Sequence, residues 1–148
     1  TKKDSDLALV LENNRVAIMD LNELGKKFKD RPFNAGTRIV QADAGDFDFE
    51  ETVIDLVVQK SRSIKLVRKS GHPGETLAQL DAPDSQVMAR IKSLDPTASY
   101  LQFAVYPDSF DNFRSLRERA WKMRFDINWN PMAVGESISI GSGPGRFQ

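Results

Sequence analysis

Asp46-Phe47-Asp48-Phe49-Glu50-Glu51-Thr52-Val53-Ile54-Asp55-Leu56-Val57-Val58 is the stretch on which the fold turns. At its front, Phe47 and Phe49 point one way and Asp46, Asp48 and Glu50 the other, as on a half-buried strand. In its middle, Asp48 and Glu51 stand at capping-box spacing, and positions 49, 53, 56, 57 and 60 recur at helical intervals. The β-branched residues among Val53, Ile54, Val57 and Val58 favour a strand. Cap and spacing together predict a helix over 48–60. The acids between Asp43 and Glu51 also suggest a calcium loop, but a loop starting at Asp46 needs Gly at 51 and Glu at 57. Those positions hold Glu51 and Val57.

Working outward, "LALVLENNRVAIMD" places two apolar runs around Asn13-Asn14, a pair that tolerates the positive φ of a tight hairpin. Strands are expected at 7–12 and 15–19, then a short helix over 21–29 opened by Asp20 and Glu23. "RIVQAD" and "SIKLVRK" read as strands, and "SGHPGE" as an exposed turn. Pro83-Asp84-Ser85 precedes Val87, Met88, Ile91 and Leu94, which share a helical face. The nearly continuous apolar run "SYLQFAVY" reads as a central strand. Pro107-Asp108-Ser109 then opens a helix over 109–124 with Phe110, Phe113, Leu116, Ala120 and Trp121 inward. Phe125, Ile127 and Trp129 alternate as on a strand, as do Ile138 and Ile140. The predicted class is α+β: a single mixed sheet of about five to six strands carrying two to four helices. Residues 7–140 would form the domain, with a disordered segment at 1–6 and a flexible tail at 141–148.

The chain has 148 residues, 40% hydrophobic and 28% charged, which suits one globular domain. Its 21 basic and 21 acidic residues cancel, so no general field draws it to nucleic acid or anionic membrane. It has no cysteine, which excludes disulfides and thiolate metal sites. No apolar run reaches the roughly 18–20 residues of a membrane span. The chain begins with Thr1, which reads as a fragment or processed product with room for a membrane anchor upstream.

Single residues supply few candidates for chemistry. Asp108 has no partner base in the sequence, and the echo of Pro107-Asp108-Ser109 at Pro83-Asp84-Ser85 makes the Asp and Ser of each motif read as helix-start residues. His72 is the only histidine, and no G-x-S-x-G elbow accompanies it. "GSGPG" at 141–145 matches a phosphate loop only by glycine count. No catalytic, cofactor or metal residue is therefore assigned. Arg114, Arg117, Lys122 and Arg124 make the long helix locally basic and are the candidate partner-binding surface. Trp121 and Trp129 are expected in the core.

Residues 99–146 carry one resemblance. An apolar strand, "YPDSFDNFRSLRERAWKMRFDINWNP", a short strand and a Gly-rich tail with Arg are similar to bacterial envelope-associated proteins akin to ExbD/TolR-type (biopolymer transport) accessory domains. The chain departs from that pattern at Tyr106, where Arg is common, and at Met123-Arg124-Phe125, where Gly precedes Phe. The resemblance implies a periplasmic or membrane-anchored extracytoplasmic domain; a cytoplasmic location is the alternative. The expected function is a non-catalytic protein-binding or structural module with a protein partner, a second copy included. The alternatives are an enzyme using Asp108, Asp111 and Arg114, and a nucleic-acid binder using the 109–124 helix.

Overall fold

The computed structural model describes residues 3–42 and 45–140. Asp4–Glu12 (β1) and Arg15–Asp20 (β2) form a hairpin, and Leu21–Phe28 (α1) follows at once. Gly36–Val40 (β3), Phe47–Asp55 (β4) and Lys60–Arg68 (β5) make an antiparallel meander. Leu77–Leu80 (α2) and Gln86–Lys92 (α3) lead to Ser99–Val105 (β6), a 3-10 turn at Pro107–Ser109 and the long helix Phe110–Lys122 (α4). Ile127–Pro131 (β7) and Ser139–Ile140 (β8) follow. The expected tail at 141–148 lies outside the described residues.

The class is α+β with four helices among the described residues, but the single mixed sheet is replaced there by two sheets of four strands each. The first runs β2-β1-β6-β7, with β6 parallel to both of its neighbours. The second runs β3-β4-β5-β8 and is antiparallel throughout. The difference lies in the opening stretch: 47–55 is a strand, not the helix expected over 48–60. Phe47, Phe49, Glu51 and Val53 all point inward and are buried. Glu51 breaks the apolar alternation, so in sequence the inward register looks interrupted and a helical spacing takes its place. Asp48 does not cap a helix either; its carboxylate accepts the Ala42 N–H at 3.0 Å. Leu56 and Val57, expected on a helical apolar face, form with Val58 the exposed tip of the β4–β5 hairpin.

Each face of the first sheet has its own core. Leu7, Leu9 and Leu11 of β1 and Leu101, Phe103 and Val105 of β6 meet Val87 and Ile91 of α3 and Phe113, Leu116 and Ala120 of α4. The alternate residues Ala8, Val10, Ala104 and Tyr106 face Phe47, Phe49, Ile64 and Leu66 of the second sheet, with α1 adding Leu21 and Leu24. Strand periodicity of two thus sorts each strand's apolar residues into two layers. β6 is central, with both faces buried, as its apolar run requires.

Local chemistry sets the joints. Asn13 and Asn14 take φ of 58° and 57°, which closes the β1–β2 hairpin tightly. Asp20 accepts the Glu23 N–H at 2.9 Å to start α1, and Ser85 accepts the Met88 N–H at 3.1 Å to start α3. β1 starts at Asp4, ahead of the strand expected from 7. α4 ends with Phe125 N–H donating to Ala120 O and Arg124 N–H to Trp121 O, each at 2.9 Å. This winding puts Arg124 at φ 70°, a position that glycine ordinarily takes.

The outer edge of β2 is covered. Val16 exchanges both backbone hydrogen bonds with Glu75, while Asp46 donates its N–H to Ile18 O and accepts the Ile18 N–H on its carboxylate. The covering segments approach closely because they pass through Gly45 and Gly74. A Cβ at either would stand 2.8 Å from the carbonyl oxygen of Ile18 or Val16, respectively.

Candidate interaction surface

Among the described residues, the opposite edge of the first sheet is bare. Leu101 N–H donates to Asp126 O and Met132 N–H to Val105 O, which fixes the register of β7 on β6. In a parallel pair, alternate residues of one strand bond the same neighbour. Positions 126, 128, 130 and 132 therefore face β6, and the backbone groups of Ile127, Trp129 and Pro131 face outward. Among the described residues nothing pairs with them. The strand "INWNP" carries no charge to repel a partner, and only Pro131, which lacks an N–H, interrupts the template.

Beside this edge runs one stripe of α4. Phe110, Arg114, Arg117 and Trp121 follow the four-three-four spacing of a single helical face. Trp129 packs on Phe113 with centroids 5.0 Å apart and meets Phe110 edge-on at 6.3 Å. The Arg117 guanidinium lies 5.5 Å from the Phe113 ring centroid and 4.9 Å from that of Trp121. Trp121 and Trp129, expected in the core, are 54% and 42% exposed. The core face of α4 is filled by Phe113, Leu116 and Ala120, which leaves Trp121 on its flank; Trp129 sits on an edge strand. Trp and Arg are among the residue types that dominate binding energy at protein interfaces, and Phe is enriched there.

The predicted basic residues divide. Arg114 and Arg117 belong to the stripe, and Arg114 also makes an exposed contact with Asp111 at 3.3 Å. Arg124 lies past the end of the helix, and helical spacing turns Lys122 about 100° away from Trp121 and the stripe. Arg119 is engaged elsewhere, at 2.7 Å from Asp81.

Asp108 and Ser109 do not cap α4: no side-chain bond caps either the 3-10 turn or the helix. Both carboxylate oxygens of Asp108 accept the Asn13 N–H, each at 3.1 Å, and Ser109 Oγ accepts the Asn14 N–H at 3.0 Å. Ser109 also donates to Asp108 at 2.9 Å. The motif latches the start of α4 to the β1–β2 turn, a contact across 95 positions that sequence spacing cannot reveal. Its echo at 83–85 does act as a cap, through Ser85. Glu75 supports that cap, accepting from Ser85 Oγ at 2.6 Å and Gln86 N–H at 2.9 Å. Ser109→Ala is expected to cost about 1–2 kcal/mol, since it leaves a turn amide unpaired. Asp108→Asn, at an exposed carboxylate, should cost less. Urea midpoints test both, and an unchanged midpoint in Ser109→Ala refutes the latch.

Two charged groups gain partners that the sequence hid. His72 Nδ1 lies 3.0 Å from Asp46 Oδ1, so the solitary histidine tethers its loop to the segment covering β2. Glu51, with none of its side chain exposed, receives Arg31 through two bonds at 2.9 and 3.0 Å and Arg38 at 3.0 Å. Arg62 Nε stands 3.1 Å away. The Arg31 hydrogen bond chiefly holds the Glu51 carboxyl below the usual carboxylate range; burial opposes it, and Arg38 and Arg62 add to it. The arginines also reach the carbonyls of Arg31, Pro32, Asn34 and Ala35, pinning the 29–35 segment over the second sheet. A charged residue in the inward register of an apolar strand was the available signal. Among the described residues, no cluster of His, Asp and Glu has metal-binding geometry, and no helix is long and apolar enough to cross a membrane.

Searches against protein-family models, curated proteins and solved structures find no match to this chain.

Proposed function

We propose that this chain is a protein-binding module whose binding face is the outer edge of β7 together with the Phe110–Arg117–Trp121 stripe of α4. The unpaired edge supports the reading: of the two edges of the first sheet, β2 is covered at Val16 and Ile18, whereas among the described residues nothing pairs with the outer edge of β7. An extended segment of a partner protein added along β7 would take the outward amides of Ile127 and Trp129. Its side chains would meet Trp129 and Phe110 on one face, and Arg114 and Arg117 favour acidic residues in it. The setting proposed is the bacterial envelope, on the resemblance of residues 99–146. The residues encoded ahead of Thr1 test this setting: an apolar span or export signal supports it, and neither being present removes it.

Photo-crosslinking from position 128 on β7 in living cells, with position 63 on the outer face of β5 as control, tests the edge. The expected result is a discrete adduct from 128 that Trp129→Ala reduces about tenfold, with none from 63. An adduct of two chains would identify the partner as a second copy. Equal labelling from both positions, or none from 128, would refute the proposal.

A further inference from the structure

The two-sheet sandwich is open at the end where β1, β5 and β6 finish. The alternation that buries Ala8 and Val10 on β1, Ile64 and Leu66 on β5, and Ala104 on β6 continues one step further. The next inward positions are Glu12, Arg68 and Tyr106, and all three line a pocket of about 530 Å3. That volume lies within the range of small-molecule sites. Its floor is apolar, formed by Val10, Phe47, Leu66 and Ile138. A sheet core thus gives way to a charged rim without a change of register.

The rim is electrically balanced, with Arg15 and Arg68 against Glu12 and Glu136, but its groups are not equally engaged. Glu136 accepts the Ala133 N–H at 2.8 Å, and Arg15 donates to Gly74 O at 3.2 Å. The Tyr106 hydroxyl donates to Glu136 O. The Arg68 guanidinium stands over the Phe47 ring, 4.8 Å from its centroid, and gives one N–H to His72 O at 3.1 Å. Its Nε is buried without an acceptor, and Arg68 has no ion-pair partner among the described residues. Glu12 likewise has no hydrogen-bonding or ionic side-chain partner among them. A buried donor left unpaired is costly, so such a group calls for an acceptor.

Arg68 and Glu12 line the same pocket as Tyr106, and their charges bear on its hydroxyl in opposite senses. Burial, then the charges of Glu12 and Glu136, push the Tyr106 hydroxyl up to about 12, against the opposing pull of Arg68. The pocket therefore presents one cation and one anion with unused capacity above an apolar floor. A lone carboxylate would meet Glu12 unfavourably, and a lone amine would meet Arg68 unfavourably.

We infer that this pocket binds a small zwitterion with an apolar side chain, of the class of a free apolar amino acid. Its carboxylate would lie on Arg68, its ammonium on Glu12, and its side chain among Val10, Phe47, Leu66 and Ile138. The site is separate from the β7 edge, and its failure would leave the binding-module reading intact.

Calorimetric titration of the protein with L-phenylalanine and L-leucine tests the inference, with phenylpropionate and phenylalaninamide as single-charge controls. Binding of an amino acid at millimolar concentration or tighter is expected, with either control at least about tenfold weaker. Arg68→Gln should weaken amino-acid binding by about tenfold or more. Glu12→Gln, at a side chain with no partner to lose, should abolish the preference over phenylpropionate and leave the melting temperature unchanged. No binding of either amino acid at about 10 mM would overturn the inference. So would equal binding of phenylpropionate, or binding indifferent to Glu12→Gln.

Discussion

Glu51→Gln is expected to lower stability by about 3 kcal/mol at neutral pH. Removing one member of a buried charge cluster strands the others, which typically costs about 3–5 kcal/mol. The lower end applies because Arg31, Arg38 and Arg62 are themselves 19–33% exposed and recover some hydration. The substitution also frees the 29–35 segment, whose carbonyls those arginines hold. The pH dependence has a definite sign. The folded Glu51 carboxyl titrates below its unfolded value of about 4.3, so its contribution is complete above that pH. It is lost as pH falls through the depressed folded value. Urea unfolding across the acid range should show this limb in the wild type and its loss in Glu51→Gln. Equal stability of the two proteins at pH 7 would exclude the cluster as a fold determinant.

Phe113→Ala should cost about 3–5 kcal/mol, the range for deleting a buried aromatic ring. Phe113 is 3% exposed and stands edge-on to Phe103 at 5.2 Å. Its other neighbours are Trp129 and the Arg117 guanidinium. One ring therefore joins the α4 core to the outer stripe, and its loss opens a void and removes the support beneath Trp129. Phe113→Leu, which keeps much of the volume, should cost less than about 1.5 kcal/mol. Denaturation midpoints separate the variants, and tryptophan emission should shift to the red in Phe113→Ala before unfolding. A loss under about 1 kcal/mol in Phe113→Ala would show that α4 is held by other contacts.

Much of the chain follows from patterns a few residues long. The Asn13-Asn14 hairpin, the Asp20 and Ser85 caps, the central run at 99–105 and the α4 core face at 113, 116 and 120 are all of this kind. Backbone preference, capping and periodicity act locally, so spacing reveals them. β4 was misread because one of its four inward positions holds a glutamate. Only the arrival of three arginines from 31, 38 and 62 makes that burial tolerable. Trp121 and Trp129 were misplaced because exposure depends on what packs above a residue, and here the edge of the sheet leaves both uncovered.

The candidate surface was legible in part. Arg114 and Arg117 marked the right helix and Phe110 shares their face by helical spacing, but Trp129 joins them only because β7 pairs with β6 and brings its ring against Phe113. The Asp108–Ser109 latch and the Glu12–Arg68 pocket were hidden for the same reason: each unites segments distant in the chain. By itself, the sequence determined the α+β class, the position of most elements and the neutral, cysteine-free surface. Tertiary structure decided that the strands form two sheets rather than one, which edge stays open and which charges are buried. Local rules act between near neighbours, whereas strand pairing and charge burial are settled by whichever distant segment supplies the missing hydrogen bond or counter-charge.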